Sequence, residues 1–262
     1  MNERRKAFIT GGSRGIGRGI VSVLAASGYD VAFTYNTKKE DAESLCQEVE
    51  ALGVRCFFYQ ASLEKPDVPE AVTTEAIKDL GGIDVLVCNA GVGKWNSLLS
   101  VTHEFMDFYY ALNYRSYILC SKVVASYLSE HDMRGNIVFI SSTRGIRAYP
   151  EDCIYGSLKA ALNRAAESMA LEMAPKKIRI NVVAPGAIAI RGDFTEEELR
   201  EDPLAPNIPL ERLGAPTEVG YLVRYIVSDE AGYMTGNVVK LDGGLILPGT
   251  PEKRQHLERK KG

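Results

Sequence analysis

Tyr155 and Lys159, in the stretch YGSLK, stand four residues apart, and the apolar run NIVFISS ends in Ser142, thirteen positions before the tyrosine. On a helix a spacing of four puts two side chains on one face. A serine closing an apolar run sets a hydroxyl at the end of a buried strand. Phenol, ammonium and hydroxyl together suit proton transfer. A phenol alone is a poor acid or base near neutrality, because its ordinary pKa is about 10, and a neighbouring ammonium favours the phenolate, each unit of displacement amounting to about 1.4 kcal/mol. The tyrosine and lysine spacing by itself discriminates little: Tyr35 and Lys39 share it, with no serine-ended run nearby.

A second stretch with chemical content is TGGSRGIG, residues 10–17, which can be parsed in two ways. Gly11, Ser13 and Gly15 fit the GxSxG turn that presents a hydrolase nucleophile, whereas Gly11, Gly15 and Gly17 fit a glycine-rich dinucleotide turn. The hydrolase parse needs an acid and then a histidine downstream, around a strand in the middle of the sheet. Here the turn follows the first strand of the chain, and His256 sits in the terminal tail. The dinucleotide parse gives every glycine a task. Gly11 permits a tight turn, Gly15 lets the backbone approach a pyrophosphate, and Gly17 lets the helix pack closely on the strand, with free N–H groups at the helix start. Its spacing differs from the common GxGxxG fingerprint.

Cofactor choice is read where the second strand ends, since an acid there would bond the ribose hydroxyl of NAD and repel a 2′-phosphate. Thr34, Tyr35, Asn36 and Thr37 occupy that place without an acid, while Arg14 and Lys38 or Lys39 supply positive charge. This predicts NADP(H) in preference to NAD(H).

These groups need elements to hold them. Short apolar runs alternate with longer segments of helical period: residues 6–10, 31–35, 56–60, 85–91, 136–142, 179–186 and 237–244 read as strands. Helices are expected at 16–28, up to Leu52, up to Leu80, within 102–128, over 155–173 and over 217–228. Runs without polar alternation suit strands buried on both faces, and intervening helices supply parallel crossovers. The fold class is therefore α/β, a doubly wound Rossmann-type parallel sheet of about seven strands flanked by helices. A single domain is expected over residues 1–250, including a proline-rich excursion at 187–216 that reads as a lid, and a basic polar tail at 251–262.

Composition narrows the partners. A net charge of −3 gives no electrostatic reason to expect nucleic acid. The five cysteines form no CxxC pair and the three histidines lie far apart, so no metal site is expected. No run approaches the roughly 20 apolar residues of a membrane span, and a cytoplasmic, thiol-reduced setting is expected.

TGGSRGIG, CNAG (88–91), Asn113 in ALNYRS, ISS (140–142), YGSLK, PG (185–186) and LDGG (241–244) occur in the order and spacing of the short-chain dehydrogenase/reductase family, which the chain resembles from about residue 6 to 245. The resemblance implies that Tyr155 is the general acid/base, that Ser142 bonds the substrate carbonyl, and that Asn113 belongs to a water relay reprotonating Lys159. It implies that Lys159 also holds the nicotinamide ribose. Cofactor contacts are implied for Gly11, Ser13, Arg14, Gly15, Ile16, Gly17, Tyr35, Asn36, Ser62, Leu63, Asn89, Ala90, Gly91, Tyr155, Lys159, Pro185, Gly186 and Ile188. The chain departs from the family where Ser62 and Leu63 replace a frequent acid, where Cys88 replaces an asparagine, and where Ile190 replaces a threonine.

The stretch IPLERLGAPTEVG (208–220) most resembles 3-oxoacyl-carrier reductases. The resemblance thus implies interconversion of a ketone and a secondary alcohol, with a 3-oxoacyl thioester ranked first and hydroxysteroids, sugars or other small ketones as alternatives. A non-catalytic cofactor-binding sensor is the alternative of a different class. Substrate contacts are expected from residues 92–99, 143–153 and the lid. Arg144, Arg147 and Arg191 are open between attracting an anionic substrate or carrier and facing solvent or another subunit. A homotetramer or homodimer is implied, with the 102–128 and 155–173 helices packing between subunits.

Overall fold

The structure is a computed structural model that describes residues 4–190 and 194–247; the tail at 251–262 and Arg191 lie outside the described residues. Strands β1 (Lys6–Ile9), β2 (Asp30–Tyr35), β3 (Cys56–Gln60), β4 (Val85–Cys88), β5 (Gly135–Ile140), β6 (Ile178–Pro185) and β7 (Val238–Leu241) match the seven apolar runs. They form one sheet in the order β3-β2-β1-β4-β5-β6-β7. Every pairing is parallel.

Side chains alternate across the sheet, so each inner strand feeds two cores. Ala7, Ile9, Val31 and Phe33 pack on one face beneath α1 (Gly15–Ala26), α2 (Lys39–Glu50) and, farther along the chain, the helix at Pro216–Val227. Phe8, Ala32, Leu86 and Phe139 pack on the other, beneath α3 (Val68–Leu80) and the helices that contain Tyr117 and Leu162. This is why residues 7–9, 85–88 and 137–140, at the centre of the sheet, are all apolar.

The segment 102–128 is not one regular helix. It is α4 (His103–Tyr110), a π-turn at Ala111–Arg115, and α5 (Ser116–Glu130). The wide turn, closed by the Ser116 N–H on the Ala111 carbonyl, brings Asn113 to full burial beneath the sheet edge. Hydrophobic period carries no mark of such an insertion, and π-turns recur at functional sites.

Then come α6 (Tyr155–Met173) and the excursion at 187–216. The latter is partly folded: α7 (Glu196–Glu201) starts on a Thr195 capping box, and Ala189, Leu199, Ala205, Ile208 and Leu213 form a small core of their own. Helix α8 (Pro216–Val227) completes the set and packs against α1. Strand order reverses between β1 and β4, so a crevice opens at the carboxyl ends of these two strands.

Candidate active site

The crevice is a cleft of about 470 Å³, lined from one end to the other by the glycine turn, the ends of β2, β4 and β5, and the start of α6. Gly11 has φ +66°, and a Cβ there would lie 2.9 Å from the Ala90 Cα. A Cβ on Gly17 would collide with the Gly11 carbonyl oxygen and sit 2.7 Å from Asn89 Nδ2. Only glycine lets the turn, the helix and the end of β4 approach this closely. The turn is also tied down. Asn89 Nδ2 donates to the Thr10 and Gly11 carbonyls, 3.0 Å each, and Gly11 N donates to Thr34 Oγ1 at 2.8 Å.

Helix α1 begins with no side-chain cap and no acid in its first turn, which leaves N–H donors facing the cleft for an anion. The Ser13 hydroxyl is buried and bonds no histidine or carboxylate among the described residues. A pyrophosphate therefore fits this cradle by shape, by open donors and by the absence of opposing charge.

At the far end of the cleft, Tyr35, Asn36 and Leu63 line the wall as expected. Thr34, Ala61 and Glu64 line it too, and the sequence reading assigned them no contact. Lys39 is engaged by Glu43 at 2.7 Å, while Arg14 and Lys38 pair with no carboxylate among the described residues. Of these, Arg14 lines the cleft.

Tyr155 opens α6, and Lys159 follows one turn later, 3% exposed. Lys159 Nζ donates to the Ile140 carbonyl at 2.9 Å and to the Tyr117 hydroxyl at 3.4 Å. Burial lowers its pKa to about 7, opposed by Cys88. Burial likewise pushes the Tyr155 phenol up to about 12, with the Ser142 hydrogen bond and the Arg144 charge lowering it and Asp152 raising it. The sequence reading had the ammonium favouring phenolate. The phenol is instead raised, because both groups are desolvated and the ammonium faces Ile140 and Tyr117. At neutral pH such a phenol keeps its proton.

Ser142 lies just past β5, where its Oγ accepts from Arg144 N at 3.1 Å, while Ser141 Oγ donates to the Lys159 carbonyl at 3.1 Å. One serine faces the tyrosine and the other anchors the helix that carries it. Asn113 sits behind them: its Oδ1 accepts from Val92 N at 3.2 Å and its Nδ2 donates to the Tyr109 carbonyl at 3.3 Å.

Arg144 is partly buried and already engaged. Its guanidinium stacks 3.7 Å from the Trp95 ring centre and 4.4 Å from that of Tyr149, and it bonds Asp152 Oδ2 at 3.0 Å. Asp152 is buried, with a side chain 2% exposed. Trp95 in turn meets Tyr155 edge-on at 6.0 Å. The wall beside the phenol is thus aromatic and charge-neutralised, and nothing in the spacing of these four residues announces it.

The structure gathers most of the expected cofactor set around one cleft: Gly11, Ser13, Arg14, Gly15, Ile16, Gly17, Tyr35, Asn36, Leu63, Asn89, Ala90, Gly91, Tyr155 and Lys159 line it, with Asn113. Ser62, Pro185, Gly186, Ile188 and Ser142 do not line it. Pro185 and Gly186 are held by β7 through Leu241. Ile188 bridges to Gly214 through the Ala187 carbonyl and the Ala189 N–H, and its own N–H and C=O have no hydrogen-bond partner among the described residues. Ile190 does line the cleft, against Gly15. No group of three or more His, Cys, Asp or Glu side chains among the described residues could hold a metal. No described helix is long and apolar enough to cross a membrane.

Comparison with known proteins places this geometry. Residues 11–246 match the family described as Enoyl-(Acyl carrier protein) reductase. The 3-oxoacyl-[acyl-carrier-protein] reductase of Staphylococcus aureus is 35% identical over 251 residues, 94% of this chain and 100% of that protein. Among solved structures, acetoin dehydrogenase from Salmonella typhimurium superimposes with a TM-score of 0.90 at 29% identity, covering 95% of this chain and 98% of that one. Acetoin dehydrogenase from Enterobacter cloacae gives 0.88 at 31% identity, covering 97% and 100%. A short-chain dehydrogenase/reductase from Serratia marcescens gives 0.84 at 31%, covering 92% and 97%.

Proposed function

The chain belongs to the short-chain dehydrogenase/reductase family of oxidoreductases, and from that premise we propose that it is a cytoplasmic, NADP(H)-dependent enzyme reducing the ketone of a 3-oxoacyl thioester to a secondary alcohol. The observation that carries the carbonyl chemistry is that Tyr155 and buried Lys159 line the same cleft as the glycine cradle, with the Ser142 hydroxyl hydrogen-bonded to the Tyr155 phenol just outside it.

A nicotinamide dinucleotide in that cleft supplies the hydride. The chain's own residues do the rest. The turn at Gly11 to Gly17 and the open start of α1 would hold the pyrophosphate, and Arg14 in the cleft wall, with Lys38 just past the end of β2, would supply positive charge to a ribose phosphate. Ser142 Oγ donates to the ketone oxygen and fixes it beside Tyr155. Tyr155, kept protonated by burial, gives its proton to that oxygen as negative charge grows there. Lys159 lies one helical turn behind and stabilises the phenolate left by that transfer; Asn113 stands where a relay from bulk water reaches it. Because Arg144 is already paired with Asp152, the wall beside the phenol is neutral, which suits an uncharged acyl ketone better than an anionic one.

The relative from Staphylococcus aureus, matched over its whole length, supports the thioester as substrate. The superposition on two acetoin dehydrogenases supports a second reading, a small hydroxyketone. The deciding experiment follows NADPH oxidation by the purified protein with an acetoacetyl thioester and with acetoin's oxidised partner diketone, NADH alongside. Fast, NADPH-selective turnover of the thioester is the expected result. Turnover of the diketone alone moves the substrate to the second reading. Tight NADPH binding without turnover of any ketone in a broad panel leaves a cofactor-binding sensor.

A further inference from the structure

We propose that Tyr117 is a positioning residue of this site: its buried hydroxyl bridges the Ile140 carbonyl and Lys159 Nζ and holds the ammonium beneath the tyrosine. The proposal rests on the reading of Lys159 as the cation behind Tyr155. Tyr117 comes from α5, far from Lys159 in sequence, and is 1% exposed. Its hydroxyl donates to the Ile140 carbonyl at 3.2 Å and accepts from Lys159 Nζ at 3.4 Å. Lys159 also donates to the same carbonyl at 2.9 Å. The three polar groups form a closed triangle inside an apolar layer.

An ammonium has three donors. Two are directed down, to Ile140 and Tyr117, which leaves the third for the cleft. The Tyr117 ring adds a face to the cation, its centre 5.0 Å from Nζ, and the Tyr155 ring centre is 5.7 Å from the same atom. The ring itself is locked edge-on against Phe139 at 5.5 Å, so the hydroxyl cannot swing away without disturbing β5.

The titratable groups turned toward Lys159 are Cys88 from β4, Tyr117 from α5 and Tyr155 from α6, and burial raises the pKa of each. All three are neutral near pH 7. No carboxylate pairs with Lys159 among the described residues. The charged amine therefore depends on two neutral oxygens, and the Tyr117 hydroxyl is the one that a side-chain substitution can remove. Without it the charged form loses a partner and the neutral amine loses much less.

That asymmetry gives a test that needs neither cofactor nor turnover. A lysine whose pKa is lowered by folding stabilises the fold above its unfolded pKa, and that stability is lost as pH falls through the folded value of about 7. Removing the hydroxyl lowers the folded value further and deepens the loss on the acid side only. Thermal melting of the full chain and of Tyr117→Phe is followed from about pH 5.5 to about pH 9.5. The Tm gap between them is expected to be at least about twofold larger at the acid end. In a Lys159→Met background the gap should be the same at both ends.

A gap independent of pH, or one that changes with pH when Lys159 is absent, overturns the proposal and leaves Tyr117 a packing residue. If the phenylalanine variant does not fold, 3-fluorotyrosine at position 117 keeps the shape and weakens the acceptor, and the same criterion applies. Failure of the carbonyl-reductase reading shows itself separately, as an inactive protein in which the gap still changes with pH.

Discussion

At the residue scale the site runs on desolvation. Tyr155 and Lys159 are both displaced from their ordinary pKa values by burial, in opposite directions, and each stays closer to its neutral form than in water. Tyr155→Phe should keep NADPH binding within about threefold and lower kcat by about a thousandfold, the scale of losing a positioned acid. Turnover at the parent rate would remove Tyr155 from the mechanism. Arg144 and Asp152 make a second residue-scale case. Arg144→Ala strands a carboxylate whose side chain is 2% exposed, and about 3 kcal/mol of stability should be lost in denaturant titration. Replacing both by alanine should recover most of that loss, since the stranded charge and not the missing pair is what destabilises. Equal losses in the single and double variants would mean that Arg144 matters through its stacking on Trp95 and Tyr149.

At the element scale, position is set by where strands end and how helices begin. The carboxyl ends of β1, β4 and β5 deliver the glycine turn, the Asn89 to Gly91 turn and Ser141 to one crevice, and α6 starts there with its tyrosine. The second strand ends without an acid, and α2 starts after Lys38, which pairs with no carboxylate among the described residues. Lys38→Glu should raise the NADPH dissociation constant at least about tenfold, or about 1.4 kcal/mol, while leaving that for NADH within about threefold. Equal changes for both cofactors would place Lys38 away from the phosphate. Strand and helix positions were legible in advance because apolar runs and helical period report burial directly. The π-turn at Ala111–Arg115 was not, since a single inserted residue leaves the average period of residues 102–128 almost unchanged.

At the scale of the whole molecule, α4 exposes Met106, Phe108 and Tyr110, between 41% and 47% each. Large apolar side chains exposed on one short helix are candidates for burial against another subunit. We propose a homotetramer or homodimer built in part on this helix. Sedimentation equilibrium should give an oligomer, and Phe108→Glu should shift it toward smaller species; a monomer in the parent protein ends that proposal. The roles of Tyr155, Lys159, Ser142 and Asn113 come from the family resemblance; what the sequence by itself determined is the doubly wound sheet and the glycine turn after β1. Each of these lies within a short segment, or at a strand end, where local pattern dictates position. Only the tertiary structure decided that Arg144 is stacked and paired instead of open to an anion, that Tyr117 stands under Lys159, and that Ser62 stays outside the cleft. Those contacts join residues from different crossovers, and their geometry depends on the sheet that brings strand ends together, which no local spacing encodes.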